Sequence, residues 1–317
     1  MNATRQNYQV KDVSYEVVEE IGKGGMGTIY KARDRNGKAV AIKELFTLNW
    51  RTIDRVRRGI NLRIQHPEIS PELVVNVLAH NLMETGQNFI IHPFIEGELA
   101  SGYLWEKPAT LITPEKIDQA KDFLRRIIPA LEALIGAGLI HRDLKGTNII
   151  LPPEKEKPAV ALDIDTLSET GLTDQPFGSI YYIPPEALNE RAPLHPTHDI
   201  YSLACEILYI YLPQLQYLIN IGNMFQETQA VLDARYYSKA TAHPSVQTKL
   251  RNLSEYPENV REEIAGLIEF LIYGLMPDPK DRPKNGTEIL QLINTKPNTT
   301  MYYGPKAIDS KPNDNDH

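Results

Sequence analysis

The fold of the chain is decided by one stretch, His141-Arg142-Asp143-Leu144-Lys145-Gly146-Thr147-Asn148. It follows a long apolar segment and brings a carboxylate, a primary amine and a side-chain amide close together in the sequence. A carboxylate can accept a proton, an ammonium group can neutralise an anion, and an amide oxygen can ligate a hard cation such as Mg²⁺. This combination favours a catalytic loop over an ordinary polar surface loop.

The three groups meet the requirements of phosphoryl transfer. Its transition state is loose, so a protein catalyses it by positioning a hydroxyl, binding metal and neutralising charge. We expect Asp143 to accept the proton of the attacking hydroxyl, Lys145 to reach the moving phosphate and Asn148 to bind Mg²⁺. The stretch fits H-R-D-L-x-x-x-N at each fixed position. At this point the sequence resembles the eukaryotic-type, or Hanks-type, protein kinases.

A glycine-rich turn lies upstream, in Gly22-Lys23-Gly24-Gly25-Met26-Gly27. Dinucleotide-binding folds use the same G-x-G-x-x-G spacing, but there a helix follows the turn. Here the following residues, Thr28, Ile29 and Tyr30, are β-formers, which favours two strands joined by the turn. That arrangement is typical of protein kinases, and the local sequence is similar to bacterial members of the family.

Two further motifs provide charged residues. Ala39-Val40-Ala41-Ile42-Lys43 predicts a strand that ends in one lysine, and the resemblance implies that Lys43 contacts the α and β phosphates of ATP. After the loop, Asp163-Ile164-Asp165 occupies the place of the family's D-F-G. Because a strand would end directly before Asp163, we predict Asp163 to be the second metal ligand. Asp165, two residues on, is the alternative.

The resemblance also implies an adenine pocket. Asn88 to Phe94 predicts the strand before the hinge, with His92 at the gatekeeper position and the backbone of Pro93 and Ile95 facing adenine. The other nucleotide-binding positions that it implies are Ile21, Gly22, Gly24, Gly27, Ile29, Ala41 and Ile150. For the apolar members of this set, packing in the core is the alternative interpretation.

Later segments resemble the family's scaffold. Gly178 to Glu186 is similar to G-T-x-x-Y-x-A-P-E, Asp199 begins a predicted helix, and Arg282 lies in Asp278 to Pro283. The resemblance implies a buried ion pair between Glu186 and Arg282. It also implies that Asp199 supports the backbone of the catalytic loop.

Arg142 points to regulation. In kinases with this arginine, it can bind a phosphate on the activation segment, which here runs from residue 163 to residue 186. The candidate acceptors are Ser168, Thr170 and Thr173.

One expected residue is missing, a glutamate in the helix after the lysine strand. Between Lys43 and Glu68 the only acids are Glu44 and Asp54. Glu44 adjoins Lys43 on the strand, so it should point to the opposite face. Asp54 can pair with Lys43 if the helix is shifted by a turn. Alternatively, another group holds Lys43, or an insertion displaces the alignment.

The resemblance implies an ATP-dependent protein serine/threonine kinase that transfers the γ-phosphate to protein hydroxyls, including its own. Lys145, two residues after Asp143, is similar to the Ser/Thr rather than the Tyr subgroup. The missing glutamate supports an alternative, a pseudokinase that binds ATP as a scaffold. A small-molecule phosphotransferase is a third class. The implied cofactors are ATP and Mg²⁺, or Mn²⁺, and the implied partners are protein substrates.

The motifs run through most of the 317 residues, so we predict one catalytic unit of α+β class in two lobes. The small β-rich N-lobe is expected at about 12–94 and the larger, mainly helical C-lobe at about 98–295. A polar leader is expected at 1–11 and a disordered tail at 296–317, because that end is rich in Asn, Asp, Pro and Lys.

The composition limits the cellular compartment and the classes of partner that are expected. A formal net charge of -7 and a pI near 5.7 argue against a general nucleic-acid binder. The one cysteine, Cys205, cannot form a disulfide within the chain, which suits a reducing cytoplasm. We find no apolar span of about 18 residues, so no membrane insertion is expected. The composition leaves the oligomeric state open.

Overall fold

The structure, a computed structural model, describes residues 7–10, 12–46, 49–83, 86–105, 112–179, 182–189, 191–211, 251–252 and 256–297. The predicted α+β architecture is confirmed, with a strand-rich N-lobe followed by a mainly helical C-lobe. The predicted tail lies outside the described residues from residue 298 onward.

An antiparallel sheet of six strands forms the N-lobe. In spatial order the strands are β1 (Asn7–Val10), β2 (Val13–Lys23), β3 (Gly27–Asp34), β4 (Ala39–Leu45), β6 (Asn88–Pro93) and β5 (Ala79–Asn81). Successive side chains of a strand point to opposite faces. Val40 and Ile42 therefore pack with Tyr8 and Tyr15 on one face, while Lys43 emerges on the other.

The expected leader over residues 1–11 is wrong for residues 7–10. These residues are β1, which pairs with β2 from Asn7 opposite Glu16 to Val10 opposite Val13. Tyr8 is only 1% exposed and packs edge-on against Phe89, with ring centroids 4.9 Å apart. A polar composition concealed this strand, because only alternate residues of an edge strand need to be apolar.

One helix, α1 (Trp50–Gln65), packs between the lobes. Asn49 caps it by accepting from the Thr52 N–H at 3.0 Å. Its buried side is apolar, with Ile53, Val56 and Ile60 at helical spacing. Gly59 lies against the backbone of the turn at Ile164–Thr166, where a Cβ atom would collide with the Ile164 carbonyl oxygen.

The helices of the described C-lobe are α2 (Ala100–Trp105), α3 (Pro114–Gly136), α4 (His198–Tyr211), α5 (Arg261–Gly274) and α6 (Gly286–Ile293). α3 begins with residues typical of a helix start, since Thr113 accepts from the Lys116 N–H at 3.4 Å and Pro114 occupies the first turn. Among the described helices, none combines the length and the apolarity that a bilayer crossing requires.

Short strands of the C-lobe bring the functional segments together. They are β7 (Glu98–Leu99), β8 (Leu139–Ile140), β9 (Ile149–Leu151), β10 (Val160–Ala161) and β11 (Ser168–Glu169). β9 pairs with both β7 and β10, and β8 pairs with β11. The loop 141–148 joins β8 to β9, and the turn at 162–167 joins β10 to β11. The pairing therefore places the loop and the turn side by side.

The predicted scaffold pair is present. The two guanidinium nitrogens of Arg282 donate to the two carboxylate oxygens of Glu186, each at 2.7 Å. The Arg282 side chain is fully buried and that of Glu186 is 13% exposed. The prediction of a buried ion pair between these residues is confirmed.

Candidate active site

The carboxylate of Asp143 lies at the centre of the loop 141–148. The Asn148 amide nitrogen donates to the Asp143 carbonyl oxygen at 2.9 Å and to its Oδ2 at 2.7 Å. Lys145 Nζ donates to the same Oδ2 at 2.9 Å. The three residues predicted to share one chemistry therefore meet within hydrogen-bond distance.

Asp199, at the start of α4, holds the backbone of the loop in place. Its two carboxylate oxygens accept from the N–H groups of His141 and Arg142, at 2.7 and 2.9 Å. Arg142 has a positive φ of 69°, a conformation that costs energy for a residue with a Cβ atom. Asp199 compensates this strain, so its predicted support of the loop is confirmed.

Ser179 completes the surroundings of Asp143, and the sequence did not identify it as functional. Its N–H donates to Asp143 Oδ1 at 2.9 Å, and its hydroxyl contacts Lys145 Nζ. Gly178 makes this approach possible, because its φ is 116° and a Cβ atom would collide with the Arg142 carbonyl oxygen. The available signal was the match of Gly178-Ser179 to the first two letters of G-T-x-x-Y.

Lys43 contacts two acids, and both come from the segment after β10. Its Nζ atom forms ion pairs with Asp163 and, at 2.6 Å, with Asp165 Oδ2. Burial lowers the pKa of Lys43, but the charges of Asp163 and Asp165 outweigh burial and hold it above its ordinary value. The ammonium group is therefore charged and firmly held.

Asp54 does not pair with Lys43, so that interpretation of the missing glutamate is wrong. Its side chain is 54% exposed, and its nearest basic partner is Arg57 in the next turn of α1, at 3.1 Å. Glu44 accepts from Gln87 Nε2 at 2.6 Å on the other face of the sheet, as strand alternation predicts. Another group therefore holds Lys43, which was the second interpretation.

Asp163 and Asp165 lie in different environments. Asp163 adopts a left-handed conformation, with φ 56° and ψ 60°, and its side chain is 27% exposed. Asp165 is in the following 3₁₀ turn and its side chain is completely buried. Burial raises the pKa of Asp165 above its ordinary value. Burial also raises the pKa of Asp163, but Lys43 outweighs it and the net pKa is lowered to about 2.

A cavity of about 320 Å³ opens between the lobes above these acids. Its lining includes these predicted nucleotide-binding residues: Ile21, Gly22, Ile29, Ala41, Lys43, Pro93, Ile95 and Ile150. Asn148 and Asp163, the predicted metal ligands, also line it. The lining residues for which the sequence predicted no role in the site are Val75, Phe94, Gly97, Leu99, Thr147 and Leu162.

Gly24 and Gly27 are not part of this lining. A Cβ atom on Gly24 would meet open space, whereas one on Gly27 would collide with the Glu44 carbonyl oxygen of β4. Close contact between β3 and β4 is therefore sufficient to explain the glycine at Gly27 in this structure. The predicted contact of both glycines with phosphate stays a prediction.

His92 lies on the inner wall of the cavity, beside the hinge. Its Nδ1 atom lies 2.8 Å from the Asn76 carbonyl oxygen, so that nitrogen carries the proton. Burial lowers the pKa of His92 to about 4, and the nearby charge of Lys43 also acts to lower it. The ring is therefore uncharged at neutral pH, and it adds no second positive charge beside Lys43.

The residues of the cavity fit a divalent cation beside a nucleotide. Asp163 offers carboxylate oxygens, and Asn148 uses its amide nitrogen on Asp143, which directs its amide oxygen away from that residue. Oxygen atoms of these types are preferred by Mg²⁺. Asp163 and Asn148 are thus the side chains that would hold the metal.

The family described as the protein kinase domain matches residues 15–294. The chain is 30% identical to NUAK family SNF1-like kinase 2 of Rattus norvegicus over 204 residues, which are 62% of this chain and 30% of that protein. It is 28% identical to the probable serine/threonine-protein kinase PknB of Lactococcus lactis over 210 residues, 64% of this chain and 32% of that protein.

A third relative matches over a longer part. The probable serine/threonine-protein kinase CPE1738 of Clostridium perfringens is 28% identical over 298 residues, 90% of this chain and 39% of that protein. The chain thus spans about a third of the length of these curated relatives. The family match covers both lobes, the loop 141–148 and the pair of Glu186 with Arg282. The chain belongs to the protein kinase domain family.

Proposed function

We propose that the chain is an ATP-dependent protein serine/threonine kinase that transfers the γ-phosphate of ATP to protein hydroxyls, its own included. One observation carries the proposal, the arrangement of three donors around the Asp143 carboxylate. Asn148 and Lys145 bind Oδ2, and the Ser179 N–H binds Oδ1. A carboxylate held in this way is oriented as a proton acceptor next to a cation.

The reaction requires few groups. Asp143 takes the proton of the incoming serine or threonine hydroxyl as its oxygen bonds to the γ-phosphorus and the bond to the β-phosphate oxygen breaks. Lys145 Nζ, 2.9 Å from Asp143, neutralises charge that spreads over the transferred group. Mg²⁺ or Mn²⁺, held by Asn148 and Asp163, supplies further neutralisation of the phosphates when bound.

ATP binds in the cavity between the lobes in this proposal. Pro93 and Ile95 line the hinge side, and Lys43 and Asp163 line the inner end. Pro93 has no N–H but keeps its carbonyl oxygen, so it can accept from the adenine amino group. Lys43 then contacts the α and β phosphates, and the apolar lining encloses the ring.

Two other functions make different predictions. A pseudokinase would bind ATP without transfer, and the capture of Lys43 by Asp163 and Asp165 supports that alternative. A small-molecule phosphotransferase would phosphorylate a soluble metabolite. The Glu186 and Arg282 pair supports the protein kinase, because in this family it braces the segment that forms the platform for a peptide.

The test is transfer of label from γ-labelled ATP by the purified chain in Mg²⁺ or Mn²⁺. Label is offered to the chain itself, to a panel of basic and acidic proteins and to aminoglycosides. We expect labelled phosphoserine or phosphothreonine, lost in Asp143→Asn while nucleotide binding is kept. Binding without transfer in every arm would establish the scaffold, and label on the small molecules alone would establish the third class.

A further inference from the structure

Lys43 is held entirely by side chains of one turn. Its Nζ atom contacts Asp163 and Asp165, which are separated by a single residue. α1, which packs on the same turn, contains one acid, Asp54, and that side chain points to solvent. Within the described structure, the lysine therefore has no acidic partner on α1.

The two acids have separate positions around the lysine. Asp163 lines the cavity with Asn148 and is 27% exposed, so a ligand in the cavity can reach it. Asp165 is not part of the lining and its side chain has no exposed surface. Its Oδ2 atom lies 2.6 Å from Lys43 Nζ, in the protein interior.

The packing of α1 on the turn explains why the acidic partner of Lys43 comes from the turn and not from α1. Gly59 lies directly on the Ile164 carbonyl oxygen and on the Asp165 backbone, where even a methyl group would not fit. The helix therefore presents its backbone, and no long side chain, at this contact. The backbone of Asp165 lies at this contact, and its side chain reaches Lys43.

We infer that Asp165 is the residue that positions Lys43 for the nucleotide, which leaves Asp163 available to the metal. This assignment rests on the proposed binding of ATP in the same cavity. A buried ammonium group needs a permanent partner, because an uncompensated buried charge is costly. Asp165 is the acid that no ligand in the cavity can reach. Asp165 is a positioning residue, since it acts through Lys43.

The assignment has a consequence for control of the site. The partner of Lys43 comes from the turn after β10, so its orientation follows that turn and not the position of α1. A displacement of α1 that leaves the turn in place does not release Lys43. Variants that loosen the start of α1, such as Asn49→Ala at its cap, are then expected to keep nucleotide affinity.

The main experiment measures the affinity of a fluorescent ATP analogue, with Mg²⁺ and with EDTA in its place. Asp165→Asn is expected to weaken binding about tenfold in both conditions, because a charge-assisted hydrogen bond to Lys43 is lost. Asp163→Asn is expected to weaken binding mainly with Mg²⁺. Asp54→Asn is the matched control, an acid of α1 away from the lysine, and should change neither value.

A double-mutant cycle with Lys43→Met separates positioning from a general structural effect. In the Lys43→Met background the change Asp165→Asn should no longer weaken binding. It should instead raise the melting temperature, because it removes a buried carboxylate that has lost its partner. Equal effects of Asp165→Asn in both backgrounds would overturn the assignment.

The outcomes for the two proposals can be distinguished. Binding does not require transfer, so a coupled cycle in a chain that transfers no phosphate would keep this assignment and reject the kinase activity. Phosphate transfer by Asp165→Asn at the wild-type rate would keep the kinase activity and reject this assignment. If Asp165→Asn alone does not fold, the melting temperatures of Lys43→Met and Lys43→Met/Asp165→Asn are compared instead. A double variant that is no more stable than Lys43→Met would overturn the assignment.

Discussion

Arg142 donates to Asp174 Oδ2 at 2.8 Å and so ties the catalytic loop to the activation segment. The Arg142 side chain is completely buried, and that of Asp174 is 15% exposed. Arg55 and Arg58 of α1 approach the same carboxylate at 3.9 and 3.7 Å. Burial raises the pKa of Asp174, but Arg142 outweighs it, so the net pKa is below the ordinary value. A carboxylate here occupies the arginine that was predicted to bind a phosphate.

Replacement of Asp174 by alanine is expected to lower the free energy of unfolding by about 3 kcal/mol, because it leaves the buried Arg142 without its carboxylate. Urea unfolding followed by circular dichroism measures this change. Asp54→Ala, which breaks an exposed pair with Arg57, is the control and should cost less than about 1 kcal/mol.

The ion pair of Arg142 with Asp174 also predicts how phosphorylation of the activation segment affects activity. Ser168, one candidate acceptor, is 1% exposed and its hydroxyl already accepts from Arg142 at 3.2 Å. Because Asp174 satisfies Arg142, phosphatase treatment of the wild type should leave transfer to substrate within about twofold. A large loss after treatment, with phosphate mapped to Thr170 or Thr173, would show that the carboxylate is not sufficient.

The Glu186 and Arg282 pair should dominate the stability of the C-lobe. Glu186→Ala leaves a fully buried guanidinium group without an anion, at an expected cost of about 3 to 5 kcal/mol. Glu154→Ala provides the contrast, because its pair with Lys157 is exposed to solvent and should leave the unfolding midpoint almost unchanged. Similar unfolding midpoints for the two variants would contradict the buried pairing.

Ser179 and Gly178 should differ in their effect on transfer. Ser179→Ala keeps the N–H bond to Asp143 Oδ1 and loses only the hydroxyl contact with Lys145, so kcat should fall about tenfold or less. Gly178→Ala places a Cβ atom against the Arg142 carbonyl oxygen at a φ of 116°, so the loss should be larger. Steady-state kinetics with one peptide substrate rank the two. The reverse order would contradict the role given to the backbone.

His92 should make the folded chain sensitive to mild acid. Its folded pKa is about 4, below the ordinary value of 6.5, so between these values the unfolded chain binds the extra proton. Stability is then complete above about pH 6.5 and declines as the pH falls towards 4, by up to about 3 kcal/mol from this group. His92→Gln should flatten that part of the curve of unfolding free energy against pH. Parallel curves for variant and wild type would disprove it.

Local sequence was sufficient where function and fold depend on short segments. The loop 141–148, the strand that carries Lys43 and the strand before the hinge were recognisable because consecutive residues contain their motifs, although β4 continues two residues beyond Lys43, to Leu45. The cap of α3 at Thr113 was predictable for the same reason. β1 was missed, since pairing with β2 and burial of Tyr8 depend on a neighbouring strand rather than on composition.

The sequence by itself determined the protein kinase fold, the identity of its charged residues and the absence of the usual glutamate between Lys43 and Glu68. Only the tertiary structure decided which acids replace it. Asp165 lies 122 positions from Lys43 and reaches it because the turn after β10 packs under α1. Asp174 reaches Arg142 by a similar route. Ion pairs across such separations are set by the packing of elements, and no spacing rule along the chain encodes them.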